Sequence, residues 1–375
     1  MQKVIVLGGG MVGSAMGADL CNEYEVTIAD NNTELLRHLK SLFNIKTCVF
    51  DLNTEDLAEL INEFDLVIEA VPGHMGFETL KKIISAGKDV VDISFFNEDP
   101  FELEKLASSK NVTAIVDCGV APGLCNIILG YHNERMKIVS YECFVGGLPF
   151  KRTPPYEYKA FFSPVDVIQE YVRPARMIEN EKLIVKPALS EPEIIKVEEV
   201  GELEAFNTDG LRSLLKTMKI PNMIEKTIRY PGHSRLMKIF RETGFFSEEE
   251  IEIDGHSIRP LDITTKLLFP FWKPEENEDE FTFLKVKIKG EEEGVGKEYI
   301  YEIFDRYDYK TNTSSMARTT GYTCTSVARL VLQGKLKSKG ICPPEYIGAI
   351  PGYYDKIINM LKQKKININI SENII

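Results

Sequence analysis

The chain has 375 residues, 43 % apolar and 27 % charged, a globular balance that excludes disordered, collagen-like and coiled-coil chains. With 45 basic against 57 acidic residues the net charge is −12. Such a surface repels phosphate backbones and anionic headgroups, so neither nucleic acid nor a membrane is expected as partner.

KVIVLG (3–8) is a short β-branched run ending in glycines, as a buried parallel strand should. A helix over 12–23 follows, and EVTIAD (25–30), KTCVF (46–50), DLVIEA (65–70), KDVVDI (88–93) and VTAIV (112–116) repeat the strand pattern. Helical stretches lie between them at 33–43, 54–64 and 101–109, with N-caps expected at Asn53-Thr54 and Asp99-Pro100. This alternation predicts a parallel, doubly wound α/β sheet. From about 138 the runs lengthen and alternate with period two: 137–148, 224–232, 281–290 and 297–307 read as strands of a mixed or antiparallel sheet. The last two are joined through EEEGVG as a hairpin. Helices are expected at 233–244, at 261–272 (closed by Pro270) and at 320–334, and the tail 362–375 reads as a frayed end or an edge strand.

No apolar run approaches the roughly 18 residues of a membrane helix. Seven irregularly placed cysteines without C-x-x-C read as reduced thiols of a cytoplasmic protein, and five scattered histidines without H-E-x-x-H suggest no metal site.

Gly8-Gly9-Gly10-Met11-Val12-Gly13 fits G-x-G-x-x-G between a strand and a helix, and Asp30 ends the second strand 22 residues after Gly8. Gly8 allows a tight turn, Gly10 admits a pyrophosphate, and Gly13 lets helix and strand pack closely, while the helix N-terminus offers free N–H groups. Asp30 can accept from both adenosine ribose hydroxyls, and Asn31-Asn32 follow where an NADP enzyme usually carries Arg or Lys, so NAD is preferred over NADP. Ligands of such sheets lie along the carboxyl edge. That edge includes Asp51 near the adenine, Ala70-Val71-Pro72 after the fourth strand and Asp92-Ile93-Ser94-Phe95 after the fifth. D-C-G-V-A-P-G-L-C-N (117–126) follows the sixth strand and reads as a hinge.

The densest polar cluster of the second half is Thr227 to His233. Arg229 can grip a carboxylate with two N–H groups, and His233 can move protons near neutrality; a surface arginine and a capping histidine are the competing reading. Asn207-Thr208-Asp209-Gly210 reads either as substrate-binding or as an Asx turn capping a helix over 211–218.

Together GGGMVG with Asp30, VIEAVPG, VVDISFFNEDP, VDCGVAPGLCN, NTDGLRSLL, KTIRYPGH and MARTTGYTCTSVARL resemble the saccharopine dehydrogenase family, most closely its lysine 6-dehydrogenase branch. The resemblance implies a Rossmann domain (1–125 with 320–375), an inserted α/β substrate domain (126–319), and a homodimer. It also implies that Ala70 and Val71, Asp92 to Ser94, and Cys118-Gly119-Val120 contact the cofactor, and that Ser94, Phe95, Thr227 and Arg229 contact substrate. Asn207 and Asp209 join these as substrate candidates. Two positions depart from the saccharopine-reducing branch: Ala121 replaces an aspartate and Thr208 an arginine. Both lost charges would serve saccharopine's extra glutamate moiety, so a smaller amino acid is expected. The implied activity is NAD-dependent oxidative deamination of L-lysine at its terminal amine, giving 2-aminoadipate 6-semialdehyde and ammonia; His233 is taken as the proton carrier on chemical grounds, not from the resemblance. Saccharopine or carboxyalkyl-polyamine oxidation, and a non-catalytic NAD sensor, stay open as alternatives.

Overall fold

A computed structural model describes every residue except Lys337. The chain forms two compact units, Met1–Arg135 with Met316–Asn367, and Met136–Ser315 with Ile368–Ile375. The first boundary thus falls after Arg135 rather than after residue 125, because helix Leu124–Asn133 packs in the first unit. The terminal strand Asn369–Ile374, expected with the Rossmann domain, pairs instead with Val295–Arg306 in the second unit.

The first unit is built on β1 (Lys3–Leu7), β2 (Glu25–Asp30), β3 (Lys46–Val49), β4 (Leu66–Glu69), β5 (Val90–Asp92) and β6 (Thr113–Ile115). With the strand Gly340–Cys342 outside β6, the sheet runs (340–342)-β6-β5-β4-β1-β2-β3, every pair parallel. The doubly wound expectation is met, and strand order reverses between β1 and β4. In parallel strands all carboxyl ends share one edge, so this reversal opens the ligand crevice of such folds there. One face of the sheet buries Ile5, Val67, Val90 and Ala114 under Leu80, Ile83 and Ile84 of helix Gly73–Ser85.

The second unit is a nine-stranded mixed sheet. Its main path runs Glu193–Val197, Gly201–Asn207, Asn222–Arg229, Lys137–Pro149, Glu280–Glu292, Val295–Arg306 and Asn369–Ile374. Only the 222–229 and 137–149 neighbours are parallel on this path. Helices Pro164–Val172, His233–Glu242 and Pro260–Trp272 cover it, with Tyr171, Phe206, Trp272 and Phe281 fully buried between the layers. The strands between 175 and 197 escaped the sequence reading because much of their side-chain surface is exposed and lacks clean alternation.

Helix Pro260–Trp272 runs through Pro270, because a proline this close to the end removes only one helical bond. The helix expected from Asn53-Thr54 begins at Leu57, where the Asp56 carboxylate accepts the Ala58 N–H at 2.9 Å. The helix expected over 211–218 shrinks to Leu214–Thr217 after Ser213. Among the described residues no helix is long and apolar enough to cross a membrane, and all seven cysteines are free.

Candidate functional site

Each expected cofactor residue of the first unit lies at or just past the carboxyl end of a strand. Gly8 has φ +101° and sits against β4: an added Cβ would stand 2.4 Å from the Ala70 carbonyl oxygen, and one on Gly13 only 2.0 Å from that of Gly8. At Gly10 the opposite holds. A Cβ there would meet nothing within 4 Å, and Gly10 precedes helix Met11–Leu20 with no side chain capping the helix. An open approach to uncapped N–H groups is what a pyrophosphate requires, so the residues fit a dinucleotide. Met11, the first residue of this helix, is 43 % exposed beside the opening.

Asp30 is held from both sides. One carboxylate oxygen accepts the Gly9 N–H at 2.7 Å and the other the Asn32 N–H at 2.8 Å, which fixes the carboxylate where a ribose would lie. Asn31 is exposed beside it, whereas Asn32 caps helix Thr33–Leu42 through Glu34 and Leu35 N–H. Asp51 organises its own turn, accepting from the Asn53 N–H at 2.9 Å. Ala70-Val71-Pro72 lead into helix Gly73–Ser85, a second N-terminus without a side-chain cap at the strand-order reversal.

Behind this edge lies a buried acid pair. Glu69 and Asp92 are register partners on adjacent parallel strands, both fully buried. Asp92 accepts both the N–H (2.7 Å) and the hydroxyl of Ser94. Burial first, and the charge of Asp92 second, push the Glu69 carboxyl well above the usual range, so Glu69 keeps its proton. Ile93 and Phe95 are half-buried. Cys118, Gly119 and Val120 are buried, and burial pushes the Cys118 thiol up, so it is no thiolate nucleophile.

In the second unit, Glu225, Thr227 and Arg229 alternate along the strand Asn222–Arg229 and so share one face. Arg229 is 2 % exposed. Its Nε donates to the Tyr171 hydroxyl (3.0 Å), one terminal nitrogen to the Ile228 carbonyl (2.9 Å) and the other to Glu170 (2.7 Å), while the guanidinium lies 4.5 Å from the Tyr158 ring centre. Two of its five N–H groups remain for a ligand carboxylate.

His233 stands 3.0 Å from the Tyr171 hydroxyl through Nε2 and 3.0 Å from the Tyr156 carbonyl through Nδ1. A carbonyl only accepts, so Nδ1 carries the proton and Nε2 accepts from Tyr171. Burial, aided by the Arg229 charge, lowers this imidazole to about 3. The near-neutral titration that made His233 the sequence-based proton carrier is therefore absent, and the ring instead fixes Tyr171 beneath Arg229.

Asp209 is held by Arg176 in a two-point pair (2.8 and 2.7 Å), and the Asn207 amide donates to Ser190 and Glu191. Thr208 does not cap a helix; its hydroxyl bonds Glu225 at 2.7 Å and the Thr227 hydroxyl at 2.8 Å. The sequence reading missed Glu69, Glu170, Tyr171 and Glu225. Only Glu225 left a signal, its spacing of two and four from Thr227 and Arg229 in EKTIR.

Residues 4–115 match the saccharopine dehydrogenase NADP binding domain and residues 116–366 the saccharopine dehydrogenase C-terminal domain. Mitochondrial alpha-aminoadipic semialdehyde synthase of Rattus norvegicus is 26 % identical over 268 residues, 66 % of this chain but only 29 % of that protein. The chain thus spans less than a third of the length of this relative. Carboxyaminopropylagmatine dehydrogenase of Synechocystis sp. is 22 % identical over 379 residues, covering 91 % of this chain and 92 % of the relative. Among solved structures, apo saccharopine dehydrogenase (L-Glu forming) from Saccharomyces cerevisiae superposes over 100 % of both chains with a TM-score of 0.79 at 19 % identity.

Proposed function

The chain belongs to the saccharopine dehydrogenase family, and from that premise we propose that it is an NAD-dependent oxidoreductase of an amino acid's C–N bond, with the terminal amine of L-lysine as substrate. The observation that carries the substrate is Thr208. Its hydroxyl is spent on Glu225 and Thr227, and the neighbouring Asp209 already neutralises Arg176. A third carboxylate brought to Thr208 would meet a hydroxyl already engaged rather than a guanidinium, and an unpaired buried charge is costly. Lysine brings one carboxylate, for which Arg229, itself paired with Glu170, keeps two N–H donors.

Gly8, Gly10 and Gly13 with the helix N-terminus would hold the pyrophosphate and Asp30 the adenosine ribose. NAD, once bound, supplies the hydride acceptor. NAD rather than NADP is our reading, although the matching domain is described as NADP binding, because Asp30 and Asn31 offer a 2′-phosphate no cation. The chain's own residues must fix the carboxylate, remove a proton from the ammonium group and admit one water to hydrolyse the iminium. A cytoplasmic homodimer completes the proposal.

A secondary-amine substrate is the second reading, favoured by the likeness across 91 % of this chain to carboxyaminopropylagmatine dehydrogenase. One assay separates them: incubation with NAD and lysine, saccharopine or carboxyalkyl polyamines, following absorbance of NADH and free ammonia. Lysine-dependent NADH with equimolar ammonia is expected. Saccharopine turnover at a comparable rate, or glutamate among the products, overturns the lysine reading.

A further inference from the structure

Three side-chain oxygens in the second unit form an unbroken chain that ends on a buried acid. Thr227 Oγ1 lies 2.8 Å from Thr208 Oγ1, which lies 2.7 Å from Glu225 Oε2. The three residues are 4 %, 3 % and 6 % exposed. The Gly210 N–H donates to the same carboxylate oxygen at 3.1 Å. Gly210 is also what lets the acid sit here, since an added Cβ would lie 2.4 Å from the Glu225 carboxyl carbon. A turn cap accounts for Glu225 and Thr208. It leaves Thr227 unexplained, the next residue from Arg229 on the same strand face and about 6.6 Å from it along the strand.

Resting on the lysine reading above, we propose that Thr227 and Thr208 relay the substrate's ammonium proton to Glu225, which stores it during hydride transfer. The step balances. Thr227 Oγ1 takes a proton from R–NH3⁺ as its own passes to Thr208, and the Thr208 proton passes to the carboxylate. R–NH2 and Glu225–COOH result, and no group other than these four changes. The free amine then gives its α-hydride to NAD, leaving the iminium that water hydrolyses.

The acid is matched to the task. Burial raises its carboxyl to about 8 against the opposing Thr208 hydrogen bond, and the carboxylates of Glu170, on helix Pro164–Val172, and Asp209 add to the rise. Glu170 and Asp209 are themselves paired with Arg229 and Arg176, and Cys143 is the register neighbour on the adjoining strand. Proton transfer from an alkylammonium near 10.4 to such an acid is uphill by about two decades, against about six for an ordinary glutamate. His233, neutral and bonded at both nitrogens, offers no such acceptor.

The test is the pH profile of kcat/KM for amine oxidation at saturating NAD, in wild type and in Glu225→Gln, Thr208→Val and Thr227→Val. The wild type should rise with pH through a midpoint near 8. Each variant should lose that limb and fall at least tenfold at pH 7.5, recovering as hydroxide deprotonates the amine, with KM for NAD unchanged. Glu225→Asp should restore part of the limb. A carboxyl infrared band titrating near pH 8 in the unliganded protein should vanish in Glu225→Gln and shift in Thr208→Val. The threonine variants carry the test if Glu225→Gln does not fold. Amine turnover with a profile that Thr208→Val leaves unchanged overturns the relay and keeps the reaction. Absence of turnover with every amine overturns the reaction instead. The band then decides the relay, and its absence, or its indifference to Thr208→Val, overturns it.

Discussion

Asp30 concentrates the cofactor question in one carboxylate, held rigid by two backbone N–H groups. NAD should be preferred over NADP by at least about tenfold, since about 1.4 kcal/mol of repulsion suffices. Asp30→Ala should shrink that preference mainly by weakening NAD, as separate KM values for the two dinucleotides will show. Arg229 makes the equivalent prediction for substrate. Arg229→Ala removes a charge-assisted contact of about 1.5–3 kcal/mol and should raise KM for lysine by one to two decades or more, with NAD binding almost intact. Unchanged kinetics would reduce Arg229 to a partner of Glu170. His233 and Glu225 pull stability in opposite directions. The histidine, lowered to about 3 from 6.5, contributes stability above the unfolded value that is lost as pH falls from about 6.5 toward 3. Glu225, raised to about 8 from 4.5, contributes stability at low pH that is lost as pH rises from about 4.5 toward 8. Denaturant midpoints of His233→Gln should therefore lose the acid slope between pH 6.5 and 4 that the wild type shows.

At the scale of elements, local chemistry was legible wherever neighbours along the chain decide the outcome. EEEGVG does form a tight hairpin: Glu292 pairs with Val295, and Glu293 and Gly294 both take positive φ (53° and 81°). This is the two-residue turn whose twist matches antiparallel strands. Gly294→Val should cost about 1–2 kcal/mol, the left-handed penalty of a branched residue, read as a lower Tm. Asp99-Pro100 cap as expected, with the Asp99 carboxylate on the Phe101 N–H at 3.1 Å. The misreading at Asn207 to Gly210 has a tertiary cause. Asn207 to Gly210 have the composition of a helix cap, but Glu225 and Arg176 claim Thr208 and Asp209 from elsewhere in the sheet. A tertiary partner outbid the local one, and Arg212 was left at φ 44° where a helix had been expected.

For the whole molecule, the chain returns to its first unit after residue 315, and a buried ion cluster fastens that return. Asp19, on helix Met11–Leu20, bonds Arg329 (2.7 Å), Thr325 (2.5 Å) and Lys364. Burial opposes the charge, but Arg329 and Lys364 hold the Asp19 carboxyl below its ordinary value. Arg329→Met should destabilise the protein by about 1.5–3 kcal/mol, because Asp19 loses one buried charge-assisted partner and keeps only Lys364 and Thr325. Far-UV circular dichroism in denaturant measures it, and KM for lysine in the surviving folded fraction should not move.

What the sequence determined by itself was whatever depends on spacing along the chain. Glycines at 8, 10 and 13 with an acid at 30, and apolar runs alternating with helices, specify a parallel sheet and its phosphate-binding edge, because backbone sterics and burial act between near neighbours. The family resemblance rested on those glycines and Asp30 together with further motifs along the chain, from VIEAVPG to KTIRYPGH and MARTTGYTCTSVARL. Only the tertiary structure decided which groups are charged and which are spent. Tyr171 and His233 are 62 residues apart, and Thr208 and Glu225 are 17 apart. Strand register brings the second pair together, helix packing the first, and the burial that accompanies both shifts their protons. Charge state in a protein interior is set by the dielectric surroundings and the partners a side chain meets. That is why Arg229 was visible as a cation from its sequence, while the acid that can take the substrate's proton was not.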